Sequence, residues 1–243
     1  MPHAFVVAEE EVDGRQIEGD TALEKVVFGV EAGSRVLEQR VTRYGTGRSL
    51  PRGEGGRDEL LYLASGTGTL ELEGEPYDLE PDTAAYVRAG ETYVVDNPGP
   101  DELLVVSTTV PVEMALRPAR EVIVRFDDRP ELRADAKRTF RLLVNEDAGC
   151  MDATQFVGIV EPCRAPDHSH TYDEVGYIIE GEGVAHIGDA HVPLRAGSCF
   201  YLPPEQVHCI ENNGPTVMRI MGVFHPSGDP ASRSYDEGNV TIT

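Results

Sequence analysis

The chain repeats itself once, at a shift of 115 residues, and this repeat constrains the fold more than any other feature of the 243-residue sequence. Aligned without gaps, the two halves share glycines, prolines and tyrosines at many positions. The matched pairs are Pro51 with Pro166, Glu59 with Glu174, Tyr62 with Tyr177, Gly66 with Gly181, Gly68 with Gly183, Tyr86 with Tyr201, Asn97 with Asn212, Gly99 with Gly214, Pro100 with Pro215 and Pro111 with Pro226. Such a repeat indicates two copies of one structural unit. We therefore expect two domains, residues 1–115 and 116–243.

Short, partly alternating apolar runs recur in both halves and are typical of β-strands. They lie at 59–64, 69–73, 84–88 and 103–110, and again at 175–179, 184–187, 199–202 and 217–224. The 25 Gly and 17 Pro are spread between the runs as turn residues. One weak helical candidate, 133–138, precedes a strand-like run at 140–144. The predicted fold class is all-β, with short strands and regular turns as in jelly-roll barrels.

Two connecting segments matter for how the halves are joined. Residues 112–120, with Pro111 before them and Pro118 among them, are expected to form a crossover short enough to keep two barrels packed together. Residues 5–8 resemble 122–124 in their repeat position. We expect an edge strand there that pairs with the other barrel or with another chain, the alternative being a frayed terminus.

Four side chains of the metal-ligating types cluster in the second half: His168, His170, Glu174 and, further along, His208. Residues two apart on a strand point to the same face, so His168 and His170 would project together. Glu174 lies at the start of the next apolar run. Three imidazoles and one carboxylate suit a divalent transition metal such as Fe, Mn, Ni, Cu or Zn. The alternative is a pair of exposed strand histidines.

This pattern resembles the two sequence motifs of the cupin superfamily. The first motif is matched by His168, His170, Glu174 and Gly181, and the second by Pro204, His208 and Asn212. The glycine that precedes the histidine pair in the family is matched only loosely. The resemblance implies a small β-barrel with the metal inside it. Together with the repeat, it implies two tandem cupin jelly-roll β-barrels, a bicupin.

The first copy has lost most of the ligand set. The ungapped alignment places Gly53, Gly55 and Tyr93 at the positions of the three histidines, and only Glu59 is kept. A single carboxylate does not hold a first-row metal, so we expect one metal ion per chain, in the second barrel. A buried Glu59 must be hydrogen-bonded, charge-paired or protonated, and Arg52 and Arg57 are candidate partners.

The charge of the chain excludes two classes of partner. A net charge of −22, from 21 basic and 43 acidic residues, argues against nucleic acid and against an anionic membrane surface. No apolar run is long enough to span a bilayer, and residues 1–4 do not start a signal peptide. The four cysteines lack the CxxC spacing and are expected to be free thiols. These features favour a cytoplasmic protein with a small-molecule substrate.

Three functions remain open for such a site. The favoured one is a dioxygenase or related oxidoreductase acting on a small oxygenated acid, enol or phenol, with Glu174 as ligand, catalytic base or both. The second is a non-redox isomerase or hydrolase that uses the metal as a Lewis acid. The third is a barrel that binds a small molecule without turnover. The resemblance to cupins also implies a homodimer.

Several further residues are possible contributors to the site. Cys199 is a weak candidate ligand, and His225 is either a base near the barrel mouth or a plain loop residue. His186 and His191 are expected at the surface or in a turn. The sequence leaves open which of Phe200, Tyr201 and Met218 point into the barrel.

Overall fold

The computed structural model describes residues 5–29, 36–53 and 55–232, and these residues form an all-β molecule. They contain 22 strands in four sheets, and every strand pair is antiparallel. Three single turns of 3-10 helix, at Glu9–Glu11, Phe126–Asp128 and Glu146–Ala148, are the helical elements of this part of the chain. None of the helices found among the described residues has the length and apolarity needed to cross a membrane.

The first barrel consists of one seven-stranded and one four-stranded sheet. The large sheet is, in spatial order, β12 (Ile123–Arg125), β9 (Thr83–Val87), β6 (Arg57–Ser65), β11 (Leu103–Pro111), β4 (Glu38–Tyr44), β3 (Ala22–Phe28) and β2 (Arg15–Gln16). The small sheet is β5 (Gly47–Arg48), β10 (Tyr93–Asn97), β7 (Gly68–Leu72) and β8 (Glu75–Leu79).

The second barrel repeats this arrangement. Its large sheet is β1 (Phe5–Ala8), β20 (Ser198–Leu202), β17 (Asp173–Glu180), β22 (Met218–His225), β15 (Thr154–Val160), β14 (Arg138–Val144) and β13 (Leu132–Arg133). Its small sheet is β16 (Cys163–Arg164), β21 (His208–Asn212), β18 (Glu182–Ile187) and β19 (Ala190–Arg195). The matching strand orders confirm the tandem jelly-roll fold predicted from the repeat.

Each large sheet is completed by a strand from the other half of the chain. β1 pairs with β20 through the register Phe5 with Tyr201, and β12 pairs with β9 through Ile123 with Ala85. The expectation that residues 5–8 pair with the other barrel is therefore confirmed. The domain ranges 1–115 and 116–243 stay a proposal, and the two exchanged strands cross that boundary.

The largest apolar core lies between the two large sheets rather than inside either barrel. Strands alternate their side chains between the two faces, so one face of each large sheet lines its own barrel and the other joins this shared core. Phe28 from the first half and Tyr201 from the second meet there with ring centroids 6.2 Å apart, and Phe5 packs edge-on against Phe28 at 5.0 Å. The two barrels are therefore joined because apolar side chains of both halves are removed from water in one core. This burial stabilises the folded chain in proportion to the apolar area that it covers.

The helix expected at 133–138 is wrong. These residues are the end of β13, a turn, and the first residue of β14. The Asp135 carboxylate accepts a hydrogen bond from the backbone N–H of Lys137 at 3.0 Å and from Nε of Arg138 at 2.8 Å. An aspartate that bonds the backbone two residues on favours a turn over a helix. The strand expected at 140–144 is confirmed as part of β14.

The segment 112–120 is irregular and follows the end of β11, as expected for a crossover. It is tied down by polar contacts rather than left free. Arg117 makes a two-pronged ion pair with the fully buried Asp58, at 2.9 and 2.7 Å. The Asp152 carboxylate accepts hydrogen bonds from the backbone N–H groups of Glu113 and Met114.

Candidate metal centre

Backbone pairing inside the second barrel brings three histidines together. His168 and His208 form an isolated antiparallel bridge, with N–H to carbonyl distances of 3.0 and 2.8 Å. His170 lies two residues further along the same segment. One ligand-type nitrogen from each of the three imidazoles can be chosen so that all lie within 4.8 Å of one another, a spacing that can hold a metal ion.

Two carbonyl groups set the orientation of two of these rings. His168 Nδ1 lies 2.9 Å from the Pro166 carbonyl oxygen, and His208 Nδ1 lies 2.8 Å from that of Gln206. A carbonyl oxygen only accepts hydrogen bonds, so Nδ1 of each ring carries the proton and donates it. Nε2 of each ring then carries the lone pair that can bind a cation, which is the usual arrangement of a metal-binding histidine.

Glu174, on β17, adds a carboxylate to this cluster. Its Oε2 lies 3.6 Å from His170 Nε2 and 3.9 Å from His208 Nε2. That oxygen is buried and accepts no hydrogen bond from the residues that the structure describes. Burial raises the pKa of Glu174 to about 8, and burial lowers the pKa of His208. A buried acceptor beside imidazole nitrogens is an environment that a divalent cation would satisfy, so the four side chains fit a mononuclear metal.

The cluster lies in a cavity of about 100 Å³ inside the second barrel. Besides His168, His170, His208 and Glu174, the walls are mainly apolar and include Phe140, Phe156, Phe200, Phe224, Val160, Ile210 and Ile220. Arg138 lines the same cavity and is held by Asp135 at 2.8 Å. His170 stacks on Tyr172, with centroids 4.7 Å apart and an interplanar angle of 13°. The cavity therefore combines one polar end with an apolar remainder.

The same place in the first barrel holds a different set of side chains. Arg52 and Tyr93 form the bridge that corresponds to His168 and His208, with both N–H to carbonyl distances 2.8 Å. The guanidinium of Arg52 is ion-paired with Asp20 at 2.7 Å and with Glu24 at 2.8 Å. A protein cation thus takes the place in which the second barrel gathers metal-type ligands.

This equivalence corrects the ungapped alignment, which placed Gly53 opposite His168. Glu174 follows His168 by six positions, whereas Glu59 follows Arg52 by seven. The loop between bridge and glutamate is one residue longer in the first barrel, so the shift is 116 before the loop and 115 after it. The match of Pro51 with Pro166 therefore does not mark equivalent positions.

The remaining candidates lie away from the histidine cluster. His225 Nδ1 donates to the Asp152 carbonyl oxygen at 2.9 Å, and Cys199 is buried in the core shared by the barrels. His186 and His191 lie opposite each other on β18 and β19, with their Nδ1 atoms 2.7 Å apart. Among the three residues left open, Phe200 lines the cavity and Tyr201 faces the shared core. Met218 packs with Phe200 in the core of the second barrel.

Sequence reasoning missed Arg138 and most of the aromatic cavity wall. Part of the wall could have been found from a pattern of large apolar residues two positions before and after a glycine. This pattern occurs on β15 at Phe156, Gly158 and Val160, and on β22 at Ile220, Gly222 and Phe224. Alternate residues of a strand share a face, so each set belongs to one wall of the barrel.

Curated relatives match one part of the chain. The chain is 36% identical over 58 residues to the oxalate-binding protein of Thermotoga maritima, which is 24% of this chain and 48% of that protein. It is 33% identical over 60 residues to an uncharacterised protein of Methanocaldococcus jannaschii, again 24% of this chain and 48% of that protein. The chain thus spans about half the length of the curated relatives it matches.

Solved structures match the whole fold. The putative glyoxylate induced protein from Pseudomonas aeruginosa superposes with a TM-score of 0.78 at 16% identity, over 99% of this chain and 92% of that chain. Protein Ylba from E. coli gives 0.79 at 13% identity, over 94% and 93%. Oxalate decarboxylase from Bacillus subtilis gives 0.73 at 13% identity, over 92% and 77%. At these identities the likeness concerns the fold alone.

The family model for the cupin domain matches twice, at residues 42–109 and 157–224. The two matches together cover more than half of the chain, one in each barrel. They agree with the duplicated strand order and with the histidine cluster inside the second barrel. The chain belongs to the cupin family and is a two-cupin protein.

Proposed function

We propose that the second barrel is a mononuclear metal centre that binds a small oxygenated organic molecule, and that the chain is an enzyme acting on it. The ligands of the metal would be His168, His170, His208 and Glu174. The observation that carries the proposal is the convergence of three buried imidazoles and one buried carboxylate on one end of a cavity. Four protein ligands leave up to two positions of a six-coordinate ion for two neighbouring substrate oxygens.

The residues of the chain would prepare this site in three ways. The carbonyls of Pro166 and Gln206 hold two imidazoles in the tautomer that binds a cation. The apolar walls limit access of water, which strengthens electrostatic interactions in the cavity. Burial raises the pKa of Glu174, which makes its carboxylate a better proton acceptor, and the side chain is placed to take a proton from a bound ligand. A bound divalent transition metal would supply Lewis-acid polarisation and, if redox-active, a place for dioxygen.

The favoured reaction is a dioxygen-dependent oxidation of a small acid, enol or phenol. Support comes from the donor set, which suits redox-active Fe and Mn as well as Zn, and from the apolar walls. Arg138 adds a positive charge at the cavity, which offsets the net charge of −22 for an anionic substrate. The non-redox alternative, an isomerase or hydrolase, would use the same ligands.

Binding without turnover is a second candidate, favoured by a specific observation. The relative from Thermotoga maritima is an oxalate-binding protein. A structural neighbour, the Bacillus subtilis oxalate decarboxylase, contains Mn(II) centres. Both proteins handle a small molecule with adjacent oxygens, as the present site would.

The test is dioxygen uptake by protein loaded with Fe(II) or Mn(II), screened against small acids, enols and phenols, with His208→Ala as control. The expected result is substrate-dependent dioxygen consumption that the control lacks. Turnover without dioxygen would replace the dioxygenase assignment with an isomerase or hydrolase. Saturable binding without any product would contradict the enzymatic proposal and support the binding role.

A further inference from the structure

A row of two phenylalanines and two glycines crosses the large sheet of the second barrel. Phe156 on β15 is opposite Gly222 on β22, Gly222 is opposite Gly176 on β17, and Gly176 is opposite Phe200 on β20. Opposite residues of antiparallel strands share a face, so all four lie on one wall. Both phenylalanines line the cavity that holds the histidine cluster. The row is thus part of the metal cavity.

The glycines make room for the two rings. A Cβ atom at Gly176 would overlap the ring of Phe200, and one at Gly222 would overlap the ring of Phe156. Neither glycine has a left-handed φ, so neither is required by its backbone conformation. Their role is to let the end of each ring extend over the neighbouring strand. Side chains of ordinary size on β17 and β22 would push both rings off the wall.

The aromatic surface continues up to the histidines. Phe224 lies one row further along β22, opposite Glu174, and its ring centroid is 4.7 Å from that of Phe156. The same ring is 5.7 Å from His170 and 4.3 Å from Tyr172. A molecule bound at the histidines would therefore meet ring surfaces directly.

The first barrel shows that this row is not needed to build the fold. The corresponding register reads Arg40 opposite Ser107, Ser107 opposite Leu61, and Leu61 opposite Ala85. In this last pair the larger residue, Leu61, takes the position of Gly176, and the smaller residue, Ala85, takes the position of Phe200. One jelly roll thus closes with an aliphatic side chain where the other keeps two glycines and two rings. The aromatic wall belongs to the barrel with the histidines.

We propose that the cavity takes a chelating ligand with a planar apolar group of about phenyl size, such as an aryl 2-oxo acid, in preference to a bare dicarboxylate such as oxalate. The inference rests on the proposed metal-chelating function and names its ligand class. Two adjacent oxygens would face the histidine end, and the ring would lie against Phe156, Phe200 and Phe224. A second carboxylate against these rings would lose its hydration, which is costly, and Arg138, the cation that lines the cavity, is already paired with Asp135 at 2.8 Å.

The size of the cavity supports this class. Its volume of about 100 Å³ is of the same order as the ~150 Å³ apolar cavity that holds benzene in another protein. Stacked and edge-to-face aromatic pairs add to the energy of apolar burial. A single ring is therefore of the size that the cavity can take.

The test compares phenylglyoxylate with oxalate on the full-length protein loaded with Mn(II), by calorimetric titration and by the change in the Mn(II) electron paramagnetic resonance spectrum. The expected result is at least 10-fold tighter binding of phenylglyoxylate. Phe156→Ala should weaken the binding of phenylglyoxylate at least 5-fold and change the affinity for oxalate less than 2-fold. Phe156→Leu, which keeps an apolar side chain, should lose less affinity for phenylglyoxylate than Phe156→Ala does.

Oxalate binding as tightly as phenylglyoxylate, or more tightly, on the unaltered protein would overturn the inference, whatever the folding of the variants. Equal losses for both ligands in Phe156→Ala would also overturn it. Failure of the metal-chelating proposal has a separate signature. In that case neither ligand would change the Mn(II) spectrum, and His208→Ala would keep its metal, which would overturn both proposals together.

Discussion

Arg52 marks the clearest difference between the interiors of the two barrels. It pairs in backbone with Tyr93 as His168 pairs with His208, and its guanidinium contacts Asp20 and Glu24. The Asp20 side chain is 1% exposed, so its charge depends on this partner and on the backbone N–H groups of Ala22 and Leu50. The first barrel thus places an internal ion pair where the second barrel gathers metal-type ligands.

Replacing Arg52 with alanine should lower the free energy of unfolding by about 3 kcal/mol, because it leaves a buried carboxylate without its cation. The measurement is chemical denaturation of the purified variant. Arg48→Ala is the matched control, since its ion pair with Glu71 is solvent-exposed. That control should unfold as the unaltered protein does. Equal stability of the two variants would contradict the role given to Arg52.

Glu174 gives a pH prediction for protein freed of metal with a chelator. Its pKa in the folded state, about 8, lies above the ordinary glutamate value of 4.5, because burial disfavours the charged form. Between these values the folded state binds more protons than the unfolded state. Stability should therefore fall as the pH rises from 4.5 to about 8, by up to about 1.4 kcal/mol per pH unit.

Glu174→Gln should flatten this dependence, because glutamine does not titrate. Thermal unfolding of the two metal-free proteins across that pH range measures the difference. A pH dependence that is the same in both proteins would contradict the raised pKa of Glu174.

The clustering of the histidines and Glu174 could be predicted from sequence because their spacing matches a family motif, although His168 lies in an isolated bridge and His170 outside any strand. Their charge environment could not. Arg52 was only a candidate partner for Glu59, since the extra loop residue that brings it opposite Tyr93 is invisible to an ungapped alignment. Arg138 was missed because it enters the cavity through the β13–β14 turn, at the residues expected to be helical.

At the scale of elements, the wall formed by β15, β22, β17 and β20 depends on size complementarity between glycines and rings. Gly176→Ala should destabilise the protein by about 1–3 kcal/mol, because its methyl group would overlap Phe200. Gly55→Ala is the control, since a Cβ there meets nothing within 4 Å and its φ is not left-handed. Denaturation midpoints of both variants measure the effect.

A second variant separates this overlap from a general cost of losing glycine. In Gly176→Ala with Phe200→Ala, the overlap is absent, so the double change should cost at least about 1 kcal/mol less than the sum of the single changes. Additive effects would mean that Gly176 and Phe200 do not interact as the packing implies.

Ten of the 22 strands that the structure describes were predicted from the sequence; the runs 59–64 and 199–202, for example, fall within β6 and β20. The turn at Ala134–Lys137 was not, because the Asp135 side chain decides it and charged residues there also suit a helix. The face that each strand turns to the barrel also escaped prediction. The central strands β6, β9, β17 and β20 are buried on both faces, so polarity does not distinguish these faces.

At the scale of the whole molecule, the two barrels form one packing unit. Strands β1 and β12 are exchanged, and the shared core contains buried side chains of both halves. Calorimetry should therefore show a single unfolding transition, with no separate transition for either barrel. Two resolved transitions would contradict the shared core. The cytoplasmic location and the homodimer stay predictions.

Metal content tests most directly whether one metal ion per chain binds in the second barrel. Elemental mass spectrometry of tag-free protein, purified without chelators, should find about one transition-metal ion per chain. His208→Ala should lose most of it while keeping the fold by circular dichroism, and Glu59→Gln in the first barrel should keep it. Undiminished metal in His208→Ala, or loss of metal in Glu59→Gln, would contradict the account.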